Sequence, residues 1–204
     1  GFVINQLSGG GCEHMGNFPT FPVKGKLKMS PDNILNYRIN ISEEKGHAGY
    51  YEAMVQEDIK AKLTVTERTG MASYEYPADQ QYGTVIIGGG ISATPIEQAA
   101  IVITAPNKCE GYAEGGNFCG LRTPYKVYFV AEFDTDALES GTWKRNELKP
   151  NTTFAEGEYS GVYFTFDVNK KKNIQYKIGV SYVSVENARE NLKAENTGWD
   201  FLQI

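Results

Sequence analysis

The sequence has 204 residues, and its 25 acidic against 20 basic side chains leave a formal net charge of −5. That balance argues against a nucleic-acid footprint, which needs a basic face to displace counterions. The longest apolar stretches, such as 84–91, run to about eight residues, against the roughly 20 that cross a bilayer. Three cysteines and two histidines are too few for a disulfide framework or a zinc cluster, and a domain of this length buries a core without such staples. Thirteen Tyr, ten Phe and 22 Gly favour a sheet-rich chain with many turns.

In chain order, Gly1-Phe2-Val3-Ile4 carries neither an initiator Met nor the basic and apolar regions of a signal peptide, so the chain is read as cut from something longer. The segment 7–16 then places Gly9, Gly10 and Gly11 directly before Cys12, Glu13 and His14. Three readings stay open there: a tight glycine turn, a loop lining a polar ligand pocket, and a metal site that lacks a fourth ligand. A phosphate cradle is weak, because neither this run nor Gly88-Gly89-Gly90 is followed by the Lys of a phosphate-binding loop.

Strands are predicted at 36–41, 49–55, 71–76, 84–87 and 99–105 from apolar runs between turn residues. Period-two alternation gives stronger strands at 59–66, 125–134, 159–167 and 174–183, each with one apolar face. In 59–66 that face is Ile59, Ala61, Leu63 and Val65; in 174–183 it extends to Val180 and Tyr182. Glu67 and Glu132 are the acidic residues expected to be partly buried, and Glu67 with Arg68 reads as a structural ion pair. Lys170, Lys171 and Lys172 read as a solvated hairpin tip. Asn40-Ile41-Ser42 and Asn151-Thr152-Thr153 match the glycosylation sequon, which matters only on a eukaryotic secretory route.

Between these strands, the run 115–120 holds Phe118 and Cys119 among glycines, outside any strand alternation. Phe118 reads either as an aromatic that stacks on a sugar ring or as a plug for one end of the sandwich. Cys12 and Cys119 can be neighbours, but their pairing is open. One helix is predicted after Ser184, its N-cap, with Val185, Ala188 and Leu192 as the apolar stripe and an αL residue within 196–198 to close it. The fold class is therefore all-β: a two-sheet antiparallel β-sandwich with one C-terminal helix. No paired carboxylates and no Ser/His/Asp nucleophile motif emerge, so no catalytic residue is assigned.

Several strings in order resemble the N-terminal domain of glycoside hydrolase family 92, the bacterial exo-acting α-mannosidases. They are Leu7-Ser8-Gly9 with Gly11-Cys12, Gly49-Tyr50-Tyr51, Ala61 through Arg68, Asn117-Phe118-Cys119-Gly120, Val127 through Phe133, and Gly179 through Arg189, followed by Trp199-Asp200-Phe201. The resemblance implies an N-terminally truncated β-sandwich at 1–183 and, at 184–204, a helix and linker leading to an absent (α/α)6 catalytic domain. It further implies single-displacement inversion with a general acid, a base and a calcium ion. All of those groups belong to the absent domain, so this chain carries no cofactor or metal ligand and the fragment alone is expected to be inactive.

The partners so implied are the chain's own catalytic domain and an α-mannose-containing oligosaccharide. The alternative is a non-catalytic carbohydrate-binding or purely structural module. Substrate contacts are expected from Gln6, Ser8, Cys12, His14, Phe118 and Cys119, with Gln6 standing where many members carry His. The first family strands, with further sugar-contacting loops, are expected to precede Gly1. Export and a cytoplasmic location stay equally open.

Overall fold

A computed structural model describes residues 1–6, 11–12, 14–31 and 40–204. Among these, the chain forms two antiparallel sheets packed face to face. The smaller has the order β1 (Thr20–Lys24), β6 (Tyr82–Gly88), β13 (Ser160–Asp167), β10 (Glu139–Lys144), β11 (Glu147–Pro150). The larger runs β12 (Phe154–Glu156), β7 (Ile96–Ala105), β8 (Lys108–Gly115), β9 (Tyr125–Phe133), β14 (Asn173–Ser181), β5 (Thr69–Glu75), β4 (Ile59–Val65), β3 (Tyr50–Val55), β2 (Ile41–His47). One helix, α1 (Val185–Glu195), follows, and the all-β sandwich expected from the alternation is what the chain adopts. Among the described residues no helix is long and apolar enough to cross a membrane.

The sheets meet through the apolar faces that the alternation marked. Val127, Phe129, Ala131 and Phe133 of β9 face Val162, Phe164 and Phe166 of β13, joined by Val85 and Ile87 of β6 and Ile174, Tyr176 and Ile178 of β14. The alternation also misleads in places. In β13 the other face is buried too: Tyr163 packs with Phe21, Val23, Ile86 and Trp143 under Leu27, Ile91 and Leu148. In β4 and after β14 the predicted core face runs out into solvent, with Val65 52% and Tyr182 51% exposed. Burial follows the extent of the opposite sheet, which the pleat alone does not encode.

Several strands escaped prediction for identifiable reasons. Prolines at 19 and 22 disguise β1, which the sheet tolerates as an edge strand. The inward face of β8 is Cys109, Gly111, Ala113 and Gly115, too small to register as apolar alternation. Gly111 is required there, because a Cβ would lie 2.1 Å from the Ala100 carbonyl oxygen of β7. Of the strand expected at 36–41, residues 36–39 lie outside the described residues, Asn40 is not in a strand, and β2 begins at the last position. The lysine run corrects an expectation as well. It is solvated, but β13 and β14 are not paired with each other, so the turn is an arch between the two sheets.

Helix α1 lies across the outer face of the larger sheet, with Val185, Ala188 and Leu192 packed on Val130 of β9. Ser184 caps it as predicted, accepting from the Asn187 N–H at 3.0 Å. No αL residue closes the helix. Asn196 has φ −137°, and its carbonyl instead accepts from Lys177 Nζ at 3.0 Å. Lys177 is buried beneath the Trp199 ring, and burial pushes its ammonium pKa down.

The ion pair expected between Glu67 and Arg68 does not form: both residues lie in the bend between β4 and β5, where the Arg68 guanidinium is taken up by the carboxylate of Glu195 at the end of α1 instead. Glu67 is exposed. Glu132 is half-buried, as expected, and is held by Lys108 at 3.1 Å. Glu195 also accepts from Thr66 Oγ1 at 2.6 Å and from the Arg68 N–H at 2.9 Å. Burial by itself raises its carboxyl pKa, but these donors outweigh it and hold the group below the usual carboxylate range. A pKa depressed in the folded state stabilises the fold above the unfolded value of about 4.3, and that contribution is lost as pH falls through the folded value. Glu195→Gln is therefore expected to lower the thermal midpoint at neutral pH, with the gap to the parent closing in acid. A gap of constant size across that range contradicts the assignment.

Candidate functional site

One end of the sandwich gathers the start of β9, the end of β8, the start of β7, the residues after β14 and the N-terminal segment. That segment doubles back: Gln6 forms an isolated antiparallel bridge with Met15, and the Gly16 N–H donates to the Asn5 carbonyl at 3.1 Å. Met15 (φ 59°), Gly16 (φ 74°) and Phe18 (φ 55°) supply the left-handed turns that reverse it. Glycine suits position 16 because its φ lies in the left-handed region that L side chains rarely adopt. The Met15 carbonyl is tied to the sandwich by the Ala93 N–H at 2.8 Å.

Asn17 is the hub of this end. Fully buried, it accepts at Oδ1 from Asn5 Nδ2 (3.0 Å) and Tyr125 OH (2.9 Å), while its N–H donates to Asn5 Oδ1 (2.8 Å). Its Nδ2 is buried with no partner on the protein. His14, 7% exposed, stands edge-on to Phe118 (5.2 Å between centroids) and Tyr125 (5.5 Å), and its Nδ1 is likewise buried without a partner. Tyr182 OH completes the group, donating to Met15 Sδ at 3.5 Å. Buried donors and acceptors of this kind are normally satisfied, so two orphans three residues apart in sequence mark a place for a water or a ligand hydroxyl.

The two glycine-containing loops are joined covalently. Cys12 and Cys119 form a disulfide with a Cα–Cα distance of 5.5 Å, which settles the pairing the sequence left open. It also removes the metal-site reading of Cys12, whose sulfur is no longer a free thiolate. Among the described residues no group of three His, Cys, Asp or Glu converges as a metal site. Cys109 is free and buried, and burial pushes its thiol pKa up.

Of the residues expected to contact substrate, Cys12, His14, Phe118 and Cys119 are brought together, while Gln6 is exposed and paired to Met15. Ser8 lies outside the described residues. Phe118 is half-buried against His14, so it neither stands free nor plugs the core. Beside the loop a recess of about 430 Å³ is lined by Pro95, Glu97, Gly116, Asn117, Gly120 and Arg122. The carboxylates of Glu97 and Glu114 near this end are taken up by Arg122 and Lys126, each at 3.4 Å. Asn5, Asn17, Tyr125 and Tyr182 escaped the sequence reading. A signal existed for Asn17, a polar residue directly after a glycine and before the aromatic run Phe18-Pro19-Thr20-Phe21.

The site thus joins hydrogen-bonding side chains and aromatic rings at one end of the sandwich, with Tyr125 on β9 and the others on the segments around it. The chain belongs to the family of the glycosyl hydrolase family 92 N-terminal domain, which matches residues 1–181. It is 24% identical, over its whole length, to an uncharacterized secreted glycosidase of Arthroderma benhamiae, covering 30% of that protein. Its fold matches a family GH92 alpha-mannosidase of Bacteroides thetaiotaomicron with a TM-score of 0.85 at 24% identity, over 100% of this chain and 29% of the other. A family GH92 inverting mannosidase of the same organism matches with a TM-score of 0.76 at 23% identity, over 91% and 24% of the two chains. The chain thus spans less than a third of the proteins it resembles.

Proposed function

We propose that this chain is the N-terminal β-sandwich of a bacterial, calcium-dependent, inverting exo-α-mannosidase, forming part of the substrate-pocket wall where it meets a helical (α/α)6 catalytic domain reached through 184–204. Family membership supports the glycosidase reading, and the likeness to GH92 mannosidases, one of them inverting, supports the substrate class. The observation that carries the wall role is the orphaned buried Nδ1 of His14, whose ring packs against Phe118. The described residues do not fit a calcium ion, so no step of the reaction is routed through this chain; calcium belongs to the catalytic partner.

On this reading the chain's own work is positional. Asn17 holds Asn5 and Tyr125 in place, His14 backs Phe118, and the Phe118 and Tyr125 rings exclude water from one side of the cleft. The full-length protein is expected to release mannose, with inverted anomeric configuration, from an α-linked oligosaccharide and to stop when a chelator is added. Phe118→Ala is expected to raise KM about three- to tenfold with little change in kcat, the signature of lost uniform binding. An intact protein that cleaves no α-mannoside overturns the proposal.

A second reading, a non-catalytic carbohydrate-binding module, is favoured by the presence of both orphaned groups on this chain alone. It requires that the isolated chain bind mannosides, so a flat calorimetric titration disposes of it.

A further inference from the structure

The connection between β8 and β9 covers residues 116–124, and its described ties to the rest of the molecule are few. Within itself it holds only the Phe118–Leu121 bridge, whose two hydrogen bonds are 3.0 and 2.9 Å. Outward it has the exposed Arg122–Glu97 pair, the ring contact of Phe118 with His14, and the disulfide to Cys12. Gly116 (φ 134°), Cys119 (φ 53°) and Gly120 (φ 79°) all sit at positive φ, and residues 119–124 are exposed. Gly11, next to the other half of the bond, is exposed at φ 79°. Nothing of the inter-sheet core rests on the sulfurs, since neither cysteine belongs to an apolar cluster. Among the described residues, the bond is the covalent tie between Cys12 and the 116–124 connection, and Cys119 is open to solvent.

We infer that the Cys12–Cys119 bond is a reducible tether that positions the His14–Phe118 wall, so that a dithiol acting from solvent frees the two loops while both sheets stay folded. The chemistry balances with the reductant named. One thiolate of the dithiol attacks a sulfur of the bond to give a mixed disulfide. Its second thiol then displaces the protein sulfur and closes the reagent into a ring disulfide. The dithiol is oxidised by two electrons, and Cys12 and Cys119 are left as thiols, taking up the two protons it gives up. Exposed disulfides are the labile ones in such exchange, whereas the buried thiol of Cys109 takes no part.

The test treats this chain, without denaturant, with dithiothreitol and counts alkylated thiols by mass. Cys12 and Cys119 are expected to become labelled and Cys109 to stay unlabelled. Hydrogen exchange in peptides covering 11–18 and 116–121 is then expected to accelerate at least about tenfold, while β9, β13 and β14 keep their protection. Failure to release the thiols without denaturant, unchanged exchange in those peptides, or loss of protection across both sheets together each overturns the inference. The double substitution Cys12→Ser with Cys119→Ser is expected to reproduce the reduced pattern; if it does not fold, the reduction experiment decides alone.

The kinetic arm rests on the proposed function. In the full-length enzyme, reduction is expected to raise KM for an α-mannoside about threefold or more with kcat nearly constant. An unchanged KM removes the positioning role. An oxidised enzyme without any mannosidase activity overturns the proposed function instead, and the exchange data still judge the tether.

Discussion

Unfolding this chain without its disulfide is expected to take about 3–5 kcal/mol less free energy than unfolding it with the bond intact. Cys12 and Cys119 are 107 residues apart, so their bond closes about half of the chain into one loop. Constraining a loop of roughly 100 residues in the unfolded ensemble contributes about 4.7 kcal/mol in the chain-entropy picture. Against a total stability of about 5–15 kcal/mol this is a large share, yet it leaves a folded protein. The measurement is urea unfolding of the Cys12→Ser, Cys119→Ser chain beside the parent. With a slope of about 2–3 kcal/mol/M, the midpoint falls by about 1.5 M. A midpoint that does not move shows that the unfolded chain was already constrained without the bond.

The second large effect is expected at Phe18. Its side chain is fully buried, with its ring centroid 4.3 Å from that of Phe129 on β9. Phe18→Ala removes a core aromatic and leaves a cavity that two packed sheets cannot easily close, at a cost of about 3–5 kcal/mol. The damage extends to the candidate site. Phe18 is the apolar anchor from which Asn17 and His14 are displayed, so the Tyr125–Asn17 hydrogen bond loses its fixed partner. Val183→Ala, at a side chain 74% exposed, serves as the control and is expected to change stability by less than about 0.5 kcal/mol. A Phe18→Ala chain as stable as that control would place Phe18 outside the core.

How far the sequence could be read depended on what kind of force set each feature. Strands β9, β13 and β14 declared themselves because burying a sheet face demands a period of two, and that demand is written directly into residue type. Helix α1 declared itself through Ser184 and its apolar stripe for the same local reason. Strands β1 and β8 did not. The first carries proline that an edge position forgives, and the second meets its neighbour through Gly111, where close approach replaces apolar bulk.

The candidate site divides along the same line. Cys12, His14, Phe118 and Cys119 stand out as unusual residues among glycines, and they do converge. Asn17, Asn5, Tyr125 and Tyr182 look ordinary in one dimension, and their significance comes from partners 12 to 177 residues away. Arg68 illustrates the same limit: its sequence neighbour Glu67 is exposed, and its true partner, Glu195, arrives from the far end of the chain.

From its residues alone, then, this protein declares a β-sandwich with a terminal helix, an acidic surface unsuited to nucleic acid, and two glycine-rich loops worth watching. Only the folded chain decides that those loops are bonded to each other, that Asn17 organises the end they share, and which polar atoms are left over for something else. Periodicity is a property of neighbours along the chain, and so it survives in the sequence. Hydrogen-bond partnership and covalent pairing are properties of neighbours in space, and they exist only once the two sheets have closed on one another.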